Sequence, residues 1–170
     1  LVAGNSIIVK PPEQAPLSGL RLAELLEGLF PAGVFNVITG GTDTGRALSM
    51  HQDVAKVALI GSVETGKAVL RSAAETIKPV LLELGGKNAL IAFPDSDPKA
   101  VAKATVTGMN FGWCGQSCGS TSRSFIHKSI YKEFLTHLKE YASKFEPGIP
   151  YDPNTTMGAL ISKQHLDSVM

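Results

Sequence analysis

Short apolar runs alternate with longer amphipathic stretches along the chain, and this rhythm limits the fold more than any other feature. SIIVK (6–10), VFNVIT (34–39), KVALIG (56–61) and KPVLLEL (78–84) read as short buried strands. Helical segments fall between them, at 16–29, 46–51 and 63–75. In the first of these, Leu17, Leu20, Leu22, Leu25, Leu26 and Leu29 recur at helical spacing. Past Gly85 and Gly86 the pattern begins again. NALIAF (88–93) is a strand, a helix follows over about 98–110, and SRSFIH (122–127) is a further strand. A last helix, 129–145, carries Ile130, Phe134, Leu138, Tyr141 and Phe145 on its apolar face. Strands separated by helices in this way imply βαβ units, a parallel sheet and an α/β fold. The glycine pair is the best internal boundary.

Composition removes several classes of function. With 44% hydrophobic residues the chain is too apolar to be disordered, and its 170 residues could bury a sizeable core. A net charge of +1 without basic clusters gives no footprint for nucleic acid or an anionic membrane. No window approaches 18 uninterrupted apolar residues. Two cysteines cannot build a disulfide scaffold, so a reducing, cytoplasmic setting is expected. The four histidines are scattered, and no metal site is expected. The chain opens in strand-like LVAGNSIIVK and stops in ISKQHLDSVM; neither end reads as a natural terminus or a signal peptide.

Two glycine turns follow predicted strands. GSVETGK (61–67) lies between a strand and a helix, where backbone N–H groups and a helix N-terminus meet anions. Ser62 is placed to cap that helix. The spacing Gly61-x4-Gly66-Lys67 approaches a nucleotide P-loop, with Asp95 as an acidic strand end. However, Ala68 stands where that motif needs a hydroxyl for magnesium. The other turn, GGTDTG (40–45), departs from the G-x-G-x-x-G spacing.

The most informative stretch is GWCGQSCGSTSR (112–123). Cys114-x3-Cys118 is not zinc-knuckle spacing. Cys118 lies among small residues that leave backbone amides open to a reactant, so its thiol could act as a nucleophile. Glu83 interrupts an apolar strand. Buried there, it would be a carboxylate with a raised pKa, suited to general base work; on an open strand face it would simply meet water.

VKPPEQAP, GSVETG, LELGGK and GQSC, in this order and spacing, resemble the NAD(P)-dependent aldehyde dehydrogenase superfamily. SIYKEF and MGALIS extend the similarity over essentially the whole chain. The resemblance implies part of a Rossmann-type cofactor domain (1–85) joined at LELGG to part of an α/β catalytic domain (86–170). By matching position, Cys118 corresponds to the nucleophile and Glu83 to the general base. Lys10 and Glu13 correspond to the pair on the adenosine ribose. Gly61 and Ser62 correspond to the pyrophosphate turn, Gly41 and Gly45 to the turn alongside, and Leu84 and Gly85 to further cofactor-binding positions. The implied reaction takes a small aldehyde through a thiohemiacetal and a thioester to a carboxylic acid. Glu13 would repel a 2′-phosphate, which favours NAD, with NADP as the alternative. The implied parent protein is a homodimer or homotetramer. It would carry its first Rossmann strands and an oxyanion Asn before Leu1, and further cofactor and oligomerisation elements after Met170. The 170 residues alone are therefore expected to be inactive. A non-catalytic structural role remains as a further alternative.

The chain departs from the family pattern in one stretch. Members often carry Phe and Asn where this chain has Gly112 and Trp113, near the substrate tunnel. Cys114 is also not a usual family residue. One helical turn from Cys118, it is expected either to form a protective disulfide or to be a passive core residue.

Overall fold

The structure, a computed structural model, describes residues 1–170. Its contacts divide the chain into two compact units, Leu1–Leu82 and Glu83–Met170.

In the first unit, β1 (Ile7–Val9) pairs in parallel with β2 (Phe35–Val37), with Ile7 opposite Phe35 and Val9 opposite Val37. The crossover is α1 (Leu17–Leu26), which ends well before Gly33, the turn residue at φ +84° that leads into β2. α2 (Thr42–Met50) begins four residues earlier than the sequence pattern suggests, because Thr42 to Gly45 form its first turn and Gly41 is its N-cap. β3 (Val57–Gly61) leads into α3 (Val63–Ala74). As expected, Ser62 caps α3, its Oγ accepting from the Thr65 amide at 3.1 Å. β4 (Val80–Leu84) pairs with β3 and runs across the division into the second unit.

In the second unit, β5 (Ala89–Ala92) pairs in parallel with β6 (Arg123–Ile126), Ala89 opposite Arg123 and Ala92 opposite Ile126. Between them lies α4 (Pro98–Gly108), capped by Asp97, whose carboxylate accepts from the Lys99 amide. α5 (Tyr131–Ala142) packs against α4. On its exposed face the Lys144 ammonium, hydrogen-bonded at 3.1 Å, holds the Glu140 carboxyl below its usual range. A short helix the sequence pattern does not announce, α6 (Lys163–Val169), closes the chain behind a Ser162 cap.

In the second unit Ala102, Val106, Ile130 and Phe134 are buried where α4 meets α5, and Ala92 of β5 is buried too; in the first unit Ala73 of α3 is buried. Of the predicted face of α5, Ile130 and Phe134 are buried and Leu138, Tyr141 and Phe145 half-buried. The large core expected from composition is not present. Leu17 of α1 is 77% exposed and Ile60 of β3 88%, while Ile91, Phe93 and Phe125 also face outward. The accessible surface is 12298 Å², whereas two separate globules of half this mass would together show about 9,700 Å². The apolar residues are in the right places for an α/β fold, but many of the large ones lie on exposed faces.

Candidate active site and cofactor site

Four residues singled out in the first unit converge at the N-terminus of α2. Lys10 leaves β1 half-buried, and its ammonium donates to the Gly40 carbonyl at 2.7 Å and the Pro11 carbonyl at 3.3 Å. Its aliphatic stem lies along Gly45, whose missing Cβ would stand 3.5 Å from Cε. Glu13 is exposed, and its carboxylate occupies the space that a side chain on Gly41 would need. What lies close to Gly41 is thus the movable end of the exposed Glu13 side chain, and its φ of −87° is open to any residue. Because α2 has no side-chain cap, its first amides stay open. An ammonium, a carboxylate and a free helix N-terminus therefore stand together.

Gly61 and Ser62 sit at the junction of β3 and α3. Here the P-loop alternative fails. Val63 to Gly66 are the first turn of a capped helix, not a loop wrapped around phosphates, and Lys67 is paired with Glu64 at 2.9 Å.

Glu83 proves exposed. β4 alternates, with Val80, Leu82 and Leu84 half-buried, and Leu81 and Glu83 on the open side. Of the two readings of Glu83, the water-facing one holds: Leu82 and Leu84 point the other way, a direct result of the two-residue strand period. Leu84 closes β4, and Gly85 follows in open backbone.

Cys118 is an exposed free thiol on the loop between α4 and β6. Its position follows from a chain of local bonds. Asn110, in left-handed conformation at φ 54°, ends α4 and starts a single 3₁₀ turn, Phe111–Trp113. Cys114 (φ 55°) and Gly115 (φ 69°) then turn the backbone left-handed twice in succession. The Asn110 amide side chain donates to Ser117 Oγ at 3.1 Å, and the same Oγ accepts from the Gly119 amide. The Asn88 side chain donates to the carbonyls of Cys118 and Ser120, the latter at 3.3 Å. The Cys118 amide itself donates to nothing in the chain. A thiol beside an unspent N–H is the arrangement that a reacting carbonyl needs.

Two holding residues, Asn88 and Asn110, were not singled out from the sequence. The signal for Asn110 was present: Asn just past a helix tolerates left-handed backbone. An open cavity of about 490 Å³ follows β5 and β6 and is lined by none of this loop's residues, whereas a second of about 340 Å³ is lined by Thr107, Asn110, Phe111, Gly112, Trp113 and Phe145. The variable pair Gly112 and Trp113 thus faces a cavity. The helical turn assumed between the two cysteines does not exist, since the backbone reverses hand at Cys114.

Parallel β-α-β pairs, a glycine turn at an uncapped helix and an exposed thiol on a hydrogen-bonded loop define an α/β chain of the Rossmann-related class. The model of the aldehyde dehydrogenase family matches residues 1–170, and the chain belongs to that family. It is 56% identical over 171 residues to aldehyde dehydrogenase tropH of Talaromyces stipitatus, covering 100% of this chain and 33% of that protein. It is 47% identical over 173 residues to the NADP/NAD-dependent aldehyde dehydrogenase PuuC of Escherichia coli K12, covering 99% and 35%. The crystal structure of PnpE in complex with nicotinamide adenine dinucleotide superposes with a TM-score of 0.92 at 40% identity, over 98% of this chain and 34% of that one. The chain therefore spans about a third of the length of these relatives. No helix is long and apolar enough to cross a membrane.

Proposed function

We propose that these residues carry the nucleophile, the general base and part of the cofactor site of an NAD(P)-dependent aldehyde dehydrogenase. The observation that carries this reading is the exposed Cys118 thiol beside its own free amide, on a loop fixed by Asn88 and Asn110. Family membership and the relatives' names supply the reaction class.

The chemistry follows from the residues present. The Cys118 sulfur adds to the aldehyde carbon, the carbonyl π bond breaks, and the Cys118 amide stabilises the resulting oxyanion as a thiohemiacetal. Lys10 and Glu13 suit the hydroxyls of an adenosine ribose, an ammonium donating and a carboxylate accepting, with the open amides of α2 alongside. An exposed carboxylate at that point repels a 2′-phosphate and so favours NAD over NADP. When bound, the nicotinamide supplies the hydride acceptor that oxidises the thiohemiacetal to a thioester. Glu83 then takes a proton from water, the hydroxide adds to the thioester carbon, and the C–S bond breaks. This releases the carboxylic acid and regenerates Cys118.

With about a third of the relatives' length, the 170 residues alone are expected to give no NADH. The test therefore uses the full-length protein: NADH absorbance is followed across aliphatic, aromatic and amino-aldehydes. Turnover with at least one class, falling to background in Cys118→Ala, is the expected result. Turnover unchanged in Cys118→Ala would refute the reading.

A further inference from the structure

Cys114 is the one residue in this segment whose conformation and contacts the reaction leaves unexplained. Its backbone is left-handed at φ 55° and ψ 29°, a region that L residues other than Asn, Asp and Gly seldom occupy. Such a conformation persists only where the surroundings over-determine it. The surroundings here are specific. The half-buried thiol donates to the Gly158 carbonyl at 3.2 Å, and the Ala159 carbonyl lies 3.5 Å away. The segment bearing these carbonyls is itself anchored. Met157 bridges to Pro147, its carbonyl accepts from the Gly148 amide at 3.0 Å, and the Thr156 amide donates to the Glu146 carbonyl. At the first residue of the 3₁₀ turn, Phe111 meets Phe145 edge to face with centroids 5.1 Å apart.

We propose that Cys114 is a positioning residue: its thiol clamps the loop that carries Cys118 onto the 157–159 segment and holds the left-handed turn from which Cys118 is presented. This rests on the reading of Cys118 as the nucleophile. Phe111 fixes the start of the turn and Cys114 its end. Asn88 holds the carbonyl of Cys118 three residues beyond Gly115. With the Cys114 contact removed, residues 115–117 are the one stretch between these anchors whose backbone bonds only to nearby positions in the chain, at Asn110, Trp113, Gly115 and Ser120. A loop free to relax there moves the thiol relative to the reacting carbon, and small displacements of that kind cost rate more than affinity.

The test compares Cys114→Ala, which loses the donor, with Cys114→Ser, which keeps a shorter one, in the full-length protein. Amide hydrogen exchange is the first readout because it does not depend on turnover. In Cys114→Ala, exchange over 115–119 should rise roughly five- to tenfold while β5, β6 and α4 keep their protection. With propanal as the probe aldehyde, kcat per titrated Cys118 should fall roughly tenfold with KM nearly unchanged, and Cys114→Ser should recover much of both effects. Unchanged exchange over 115–119 overturns the proposal. So does a rise spread through the whole second unit, which is a general structural role, or local loosening with kcat intact. If instead propanal turnover survives in Cys118→Ala, the nucleophile reading fails, and the exchange data still decide whether Cys114 clamps the loop.

Discussion

Glu83 shows how much a one-residue offset decides. On β4 the odd and even positions face opposite ways, and Glu83 shares the open side with Leu81 while Leu82 and Leu84 turn inward. A carboxylate on that side keeps its lone pairs available to water, which a base acting on a thioester must do. Five residues later, Asn88 holds the backbone of Cys118, so the segment that starts at the proposed base also anchors the proposed nucleophile. If Glu83 acts only after the thioester forms, Glu83→Gln should separate the two halves of the reaction. Stopped-flow absorbance should show a burst of one NADH per site, followed by steady turnover reduced about 10²–10⁴-fold. A uniformly slowed burst, or undiminished steady turnover, would remove Glu83 from that role.

Among the elements, the pair α4 and α5, with the Ile130 cap, carries most of the buried apolar side chains. Phe134 is 2% exposed on the helix that packs against α4, so truncation leaves a void there. Phe134→Ala should cost about 3–5 kcal/mol in urea unfolding of the full-length protein, while Lys132→Ala, on the exposed side of the same helix, should stay within about 0.5 kcal/mol. Phe134→Ala matching Lys132→Ala would show that the core lies elsewhere. The pattern of α5 was legible because its apolar residues recur at the helical period and its partner lies in the same unit. The pattern of α1 was equally legible as a helix, but its leucines remain largely open, because periodicity states which side is apolar and not what covers it. The start of α2 was hidden by its glycines and threonines, which read as a turn although Gly41 caps a helix there. In the loop between α4 and β6, Cys118 was legible as a candidate thiol. Its presentation was not, since three left-handed residues, Asn110, Cys114 and Gly115, set it, and two of them announce that conformation only weakly or not at all.

For the molecule as a whole, the governing fact is uncovered apolar surface. Both faces of a parallel sheet in an α/β fold are normally buried, yet here Ile8, Ile60, Leu81, Ile91 and Phe125 all stand open on their strands. The surface exceeds that of two independent half-size globules by more than 2,000 Å², taking about 9,700 Å² for those. The chain reaches over only a third of its relatives' length, and apolar faces of this extent seek a partner. The 170-residue chain prepared alone should therefore bind a hydrophobic dye such as ANS strongly and associate as its concentration rises. The full-length protein should do neither in proportion to its mass. Sedimentation velocity and dye fluorescence on both would decide the matter. A 170-residue chain that stays monomeric and dye-silent would mean that the open strand faces are closed in solution by some rearrangement of the chain itself.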